Sequence, residues 1–339
     1  MRILRKLLTG FGATLVLFLV AELVARAAEP GPFTFVDRSP YLADPVLKQV
    51  HRPAWESHWD GSPYATDDAG RRRSSSPAVA PGGLRVLAVG DSCTFGKGVE
   101  ERDTWPRQLE TLLRAAPDPR RASAVVDNAG VNGYSGRQYA EATRRALAAA
   151  RYDLVVVGWN ANDFDSVVRR ANVQAFEQQG LRQAFSDDAR DAMGRLALYR
   201  LARAWWWHLR REGDWSRARA LAAAQPERAA EDQAAFEREL VHLDALHAAC
   251  QAAGARLVMF LFPYESQVLG GLHQDELQQR LAQACQARGI PTFDLAASFR
   301  QVAHATAPPM ELFLRGDRYH PRAEGYALVA EEVVRALGQ

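Results

Sequence analysis

Four short polar clusters interrupt the apolar runs of this chain, and each carries side chains that could act on a bound molecule. The first is Gly90-Asp91-Ser92-Cys93-Thr94-Phe95-Gly96, directly after the apolar run Leu84 to Val89. A serine just past a buried strand, at a glycine-flanked turn, can present both its hydroxyl and its N–H to a cleft. Asp91 and Ser92 are equally suited to capping a following helix. The second cluster, Asn128 to Ser135, contains Gly130 and Gly133 and reads alone as a glycine turn. The third, Gly158-Trp159-Asn160-Ala161-Asn162-Asp163, offers asparagines that either form a turn or donate hydrogen bonds. The fourth, Asp317-Arg318-Tyr319-His320-Pro321, sets a carboxylate three residues before an imidazole. By type these are the parts of nucleophilic acyl transfer, although no single cluster is specific.

The elements that must position them follow from periodicity. Leu84 to Val89, Ala124 to Asn128, Leu154 to Val157, Leu257 to Phe262 and Thr292 to Leu295 are short apolar runs that predict buried strands. Helical spacing covers Thr104 to Ala116, Arg137 to Arg151, Asp232 to Ala253, Asp275 to Arg288 and Arg322 to Leu337. Alternation of the two predicts an α/β fold, a three-layer α/β/α sandwich around a mostly parallel sheet. In such sheets ligands bind beyond the carboxyl ends of the strands, where the first three clusters lie.

In order and spacing the four clusters resemble the blocks of the SGNH (GDSL-type) hydrolase family, densely over Arg85 to Asp163 and again from Asp317 to Leu337. The resemblance implies an SGNH/flavodoxin-like fold with Ser92 as nucleophile, His320 as general base and Asp317 as its orienting carboxylate. It further implies an oxyanion hole from the N–H groups of Ser92 and Gly133 and the side-chain amide of Asn162, with Gly130 as the rival glycine. The chemistry suits the types: serine needs an imidazole to accept its proton, and that imidazole needs a carboxylate to fix its tautomer. Donors aimed at the developing oxyanion supply about 10²–10³ in rate each. The implied activity is cleavage of an ester, an O-acyl group on a carbohydrate or lipid, with no cofactor and no metal. An O-acyltransferase passing the acyl group to a glycan hydroxyl and an inactive envelope module stay open as alternatives. Two departures stand out. Asn160 occupies the position of the motif's glycine, and Cys93 follows the serine where the family has leucine; Cys93 reads as a buried neighbour.

The remaining features bound the reading. The chain has 339 residues with 42 basic and 40 acidic side chains, so it lacks the charge footprint of a nucleic-acid binder. Its three cysteines have no metal-ligand spacing. Five residues separate Gly90 from Gly96, and Gly98 follows Lys97, which excludes a phosphate-binding P-loop. Arg2, Arg5 and Lys6 precede an apolar run closed by Glu22 and Arg26. Residues 1–29 therefore form a signal anchor, with Glu22 near the headgroups, or a signal peptide cleaved at Ala25-Arg26-Ala27. Either places the remainder outside the cytoplasm, membrane-held or secreted. Residues 30–83 read as an irregular spacer packed on the core, with Thr66 to Arg71 as structural packing. Residues 84–339 form the hydrolase-like domain, with a helical insertion at 164–231 rich in tryptophan and arginine. His242 and His247 are surface histidines. The partner is a small-molecule or glycan ester; the oligomeric state is not readable.

Overall fold

A computed structural model of the chain describes residues 2–28, 40–59, 62–72, 80–160, 163, 196–199, 201–202, 229–269, 276–314, 317 and 319–338. Helix α1 (Arg2–Ala28) is followed by two hairpins, β1 (Tyr41–Asp44) with β2 (Lys48–His51) and β3 (Glu56–Trp59) with β4 (Ser62–Ala65). The core begins at β5 (Arg85–Gly90), which turns into the four-residue helix α2 (Ser92–Phe95). There follow α3 (Trp105–Arg114), α4 (Pro119–Ala122), β6 (Val125–Asn128), α5 (Gly136–Ala149) and β7 (Leu154–Asn160). The second half carries α6 (Ala229–Ala253), β8 (Arg256–Phe262), α7 (Glu265–Val268) and α8 (Glu276–Gln286). It closes with β9 (Thr292–Asp294), α9 (Ala296–Ala303) and α10 (Ala323–Leu337).

Five parallel strands pair in the order β6-β5-β7-β8-β9, as the strand–helix alternation predicts. Successive side chains leave opposite faces of a strand, and the burial divides accordingly. Val86, Ala88, Val126, Val156, Val258 and Phe260 pack with α3, α9 and α10 on one face. Leu87, Val89, Val155, Val157, Leu257 and Met259 pack with α5, α6 and α8 on the other. The chain leaves β5 toward β6, then crosses to β7 on the far side. β5 is thus the switch point at which such sheets open a crevice. Strand β7 runs three residues further than the periodicity predicts, so Asn160 is its last residue rather than part of a turn.

The composition of residues 30–83 suggests an irregular layer; in the structure two short hairpins form there instead, and they hold core loops. Gln49 Nε2 donates to Asn132 O at 2.8 Å, and Tyr134 Oη donates to Gln49 O at 2.7 Å. Arg145 on α5 pairs with Asp44 at 2.7 Å. His51 is 2% exposed, stacked on Phe95 with ring centroids 4.6 Å apart, and neither of its ring nitrogens has a partner among the described residues. Burial, with the nearby Arg72 charge, pushes its pKa down to about 4. The folded state therefore refuses a proton that the unfolded chain accepts near pH 6.5. Stability is full above that pH and falls as pH drops toward 4, by about 3 kcal/mol from this residue. Urea denaturation across this range is expected to show the loss, and His51→Phe to flatten it; an unchanged pH slope in the variant contradicts the assignment.

Candidate active site

The site grows from the end of β5. Asp91 accepts the N–H of Cys93 at 2.8 Å and caps α2, which leaves Ser92 as the first residue of that helix. A four-residue helix leaves its last carbonyls without partners inside the helix. Arg72, 3% exposed, supplies them: Nη1 donates to Phe95 O and Gly96 O, and Nη2 to Val99 O, each at 2.7 Å. Burial pulls its pKa down to about 10, which leaves it charged at neutral pH. Asn128 Nδ2 adds a bond to Thr94 O at 3.0 Å. The turn is held from below by side chains of two other segments.

The sequence predicts that Ser92, Asp317 and His320 act together, and the structure brings them together. His320 Nε2 lies 2.7 Å from Ser92 Oγ, and His320 Nδ1 lies 2.7 Å from Asp317 Oδ2. With Nδ1–H donating to the carboxylate, the Nε2 lone pair faces the serine hydroxyl. Asp317 Oδ1 accepts the N–H groups of Tyr319 and His320 at 3.0 and 3.2 Å. Lys97 Nζ lies 3.3 Å from Asp317 Oδ2. Burial opposes the Asp317 charge, but His320 beside it, its hydrogen bond and Lys97 hold the carboxyl well below the usual range. Cys93, 2% exposed, donates its thiol to Tyr319 O at 3.4 Å and so latches the histidine turn to the serine turn. Burial and the Asp91 charge push that thiol up, away from nucleophile chemistry.

The two candidate glycines separate by geometry. The Gly130 N–H is already bound by Asn128 Oδ1 at 3.0 Å, and a Cβ there would lie 2.2 Å from the Phe95 nitrogen. Gly130 is a close-approach residue. Gly133 has φ +74°, and the N–H groups of Ser92 and Gly133 donate to no backbone carbonyl among the described residues. Asn162, the third predicted donor, lies outside the described residues, as do the insertion's Trp205, Trp206, Trp207 and Trp215. No group of metal-ligating side chains occurs among the described residues.

Sequence reasoning missed Arg72, Lys97 and the partners of Glu22. Glu22 is 6% exposed and accepts the N–H groups of Ala197 and Leu198 at 2.9 and 3.0 Å. The Arg72 clamp yields a test. Lysine keeps the charge but cannot span three carbonyls. Arg72→Lys is expected to lower unfolding free energy by about 3 kcal/mol, on the scale of a buried charge losing its partners. An unchanged urea midpoint contradicts it.

A family model described as the GDSL-like lipase/acylhydrolase family matches residues 88–328. No curated protein matches the chain. Among solved structures it is similar to a member of the lipolytic protein G-D-S-L family from Veillonella parvula DSM 2008. The two share 13% identity and a TM-score of 0.44, over 76% of this chain and 99% of that one. It is also similar to a variant of an acetyl-xylooligosaccharide esterase from Geobacillus Stearmophilus. There the identity is 14% and the TM-score 0.47, over 76% of this chain and 95% of that one.

Proposed function

The chain belongs to the GDSL-like lipase/acylhydrolase family, hydrolases acting on esters, and from that membership we propose that Ser92 attacks the substrate's ester carbonyl carbon. The observation that supports this reading is the continuous pair of 2.7 Å contacts from Asp317 through His320 to Ser92. Ser92 Oγ bonds to the carbonyl carbon as its proton passes to His320 Nε2. Asp317 holds the imidazole and stabilises its positive charge without taking the proton. The oxyanion accepts hydrogen bonds from the N–H groups of Ser92 and Gly133 and from the Asn162 amide. Collapse expels the alcohol, which takes the proton from His320. Water, deprotonated by His320, then releases the acid and restores Ser92. The substrate is an O-acylated carbohydrate or lipid. The hydrolase-like domain begins near residue 84, with residues 40–72 as its buttress.

α1 is the retained anchor of this enzyme, and the domain lies outside the cytoplasm. Its 27 residues span about 40 Å, enough to cross a bilayer, and Phe11, Leu17 and Leu23 are exposed for lipid. Near its end Glu22 bonds Ala197 and Leu198, while Ala25, inside the cleavage-like box, is 3% exposed. Removing α1 would strip those partners away.

Residues acting as one unit show losses that do not multiply. With p-nitrophenyl acetate, Ser92→Ala and His320→Ala are each expected to lower kcat by about 10⁴–10⁶, and the double variant to be no worse. Multiplying losses contradict the relay. Intact mass and peptide mapping of protein from membranes are expected to recover Gly10 to Arg26 in the mature chain; a mature N-terminus at Ala28 contradicts anchoring.

A further inference from the structure

Behind the site lies a buried polar chain that the relay does not use. Asp91 Oδ1 accepts both the Cys93 N–H and the Asn160 side-chain amide, each at 2.8 Å. The Asn160 N–H donates to Asp163 Oδ2 at 2.8 Å, and Tyr139 Oη donates to the same oxygen at 2.8 Å. The Tyr139 hydroxyl also lies 3.4 Å from Tyr134 O. Asp91, Asn160 and Asp163 are each 2% exposed, and Tyr139 is fully buried. At that depth a polar group without partners costs heavily, and these bonds meet that cost for every atom they join, while Asn160 Oδ1 and Asp163 Oδ1 have no partner among the described residues.

Position in sequence gives the chain its meaning. Asp91 precedes Ser92, Tyr134 follows Gly133 and Asp163 follows Asn162. Each end of the hydrogen-bonded run is one residue from a group assigned to the oxyanion. Asn160 is the only member bonded through both its backbone and its side chain to two different acidic residues. The glycine that the family motif carries at this position has no side-chain amide to donate to Asp91.

We propose that Asn160 is a positioning residue that couples the three oxyanion-donor segments, acting through Asp91 on one side and Asp163 with Tyr139 on the other. The inference rests on the oxyanion reading given above. Burial and the Asp91 charge push the Asp163 carboxyl well above the usual carboxylate range, which suits a hydrogen-bonding strut more than a free charge.

A double-mutant cycle on the full chain separates positioning from simple stability. With p-nitrophenyl acetate, Asn160→Gly is expected to lower kcat by about 10–100-fold with KM within about threefold. In an Asn162→Ala background the same change is expected to cost at least about threefold less than in the parent chain, because one of the three donors it couples is gone. Equal losses in both backgrounds overturn the proposal. If Asn162→Ala alone leaves kcat unchanged, the oxyanion reading itself has failed. Should Asn160→Gly not fold, Tyr139→Phe, which removes one hydroxyl, carries the same cycle: a kcat loss that shrinks with Asn162→Ala supports the coupling, and an additive loss or none overturns it.

Discussion

The contact between Ser92 Oγ and His320 Nε2 joins residues 228 apart in sequence at 2.7 Å, and every layer of the fold bears on it. A hydrogen bond contributes about 1 kcal/mol net, far too little to draw the two regions of the chain together. Burying one valine or leucine contributes about 1.5–3 kcal/mol, and each face of the sheet buries many. The contact is therefore carried by the core. β5 fixes the serine at the centre of the sheet, while α10 packs its Tyr326, Val329 and Val333 into the same cluster as Val86 and Ala88. That packing returns the histidine turn to the serine.

Polar contacts then refine what the core has placed. The carbonyls at the end of α2 are taken by Arg72 from the segment before the sheet, and the loop carrying Gly133 is held by the β1–β2 hairpin. The residues ahead of the core are thus part of the site's support. His320 beside it, with Lys97 and the Tyr319 N–H, holds the Asp317 carboxyl well below the usual range, as the proposed stabilisation of an imidazolium requires.

The sheet was legible because its strands are apolar on both faces, which makes continuous runs in sequence. The grouping of Ser92, His320 and Asp317 was legible because a hydroxyl, an imidazole and a carboxylate announce themselves by type. Arg72 was not: it binds backbone carbonyls, and these leave no mark in a sequence. The contacts of Asn160 were equally hidden, since its partners lie 69 residues back, just past β5, and three residues ahead. Gly130 and Gly133 look alike as letters, and only the packing of Phe95 against one of them separates the two. The hairpins escaped because strands of four residues are too short to establish a period.

The most direct measurement is the site of covalent attachment. The full chain would be quenched in acid during turnover of a slowly deacylated ester and the acylated peptide sequenced by tandem mass spectrometry. One acyl group, on Ser92, is the expected result. Acylation of Cys93 or of any other residue, or turnover with no acylated protein under conditions that trap such intermediates, contradicts it.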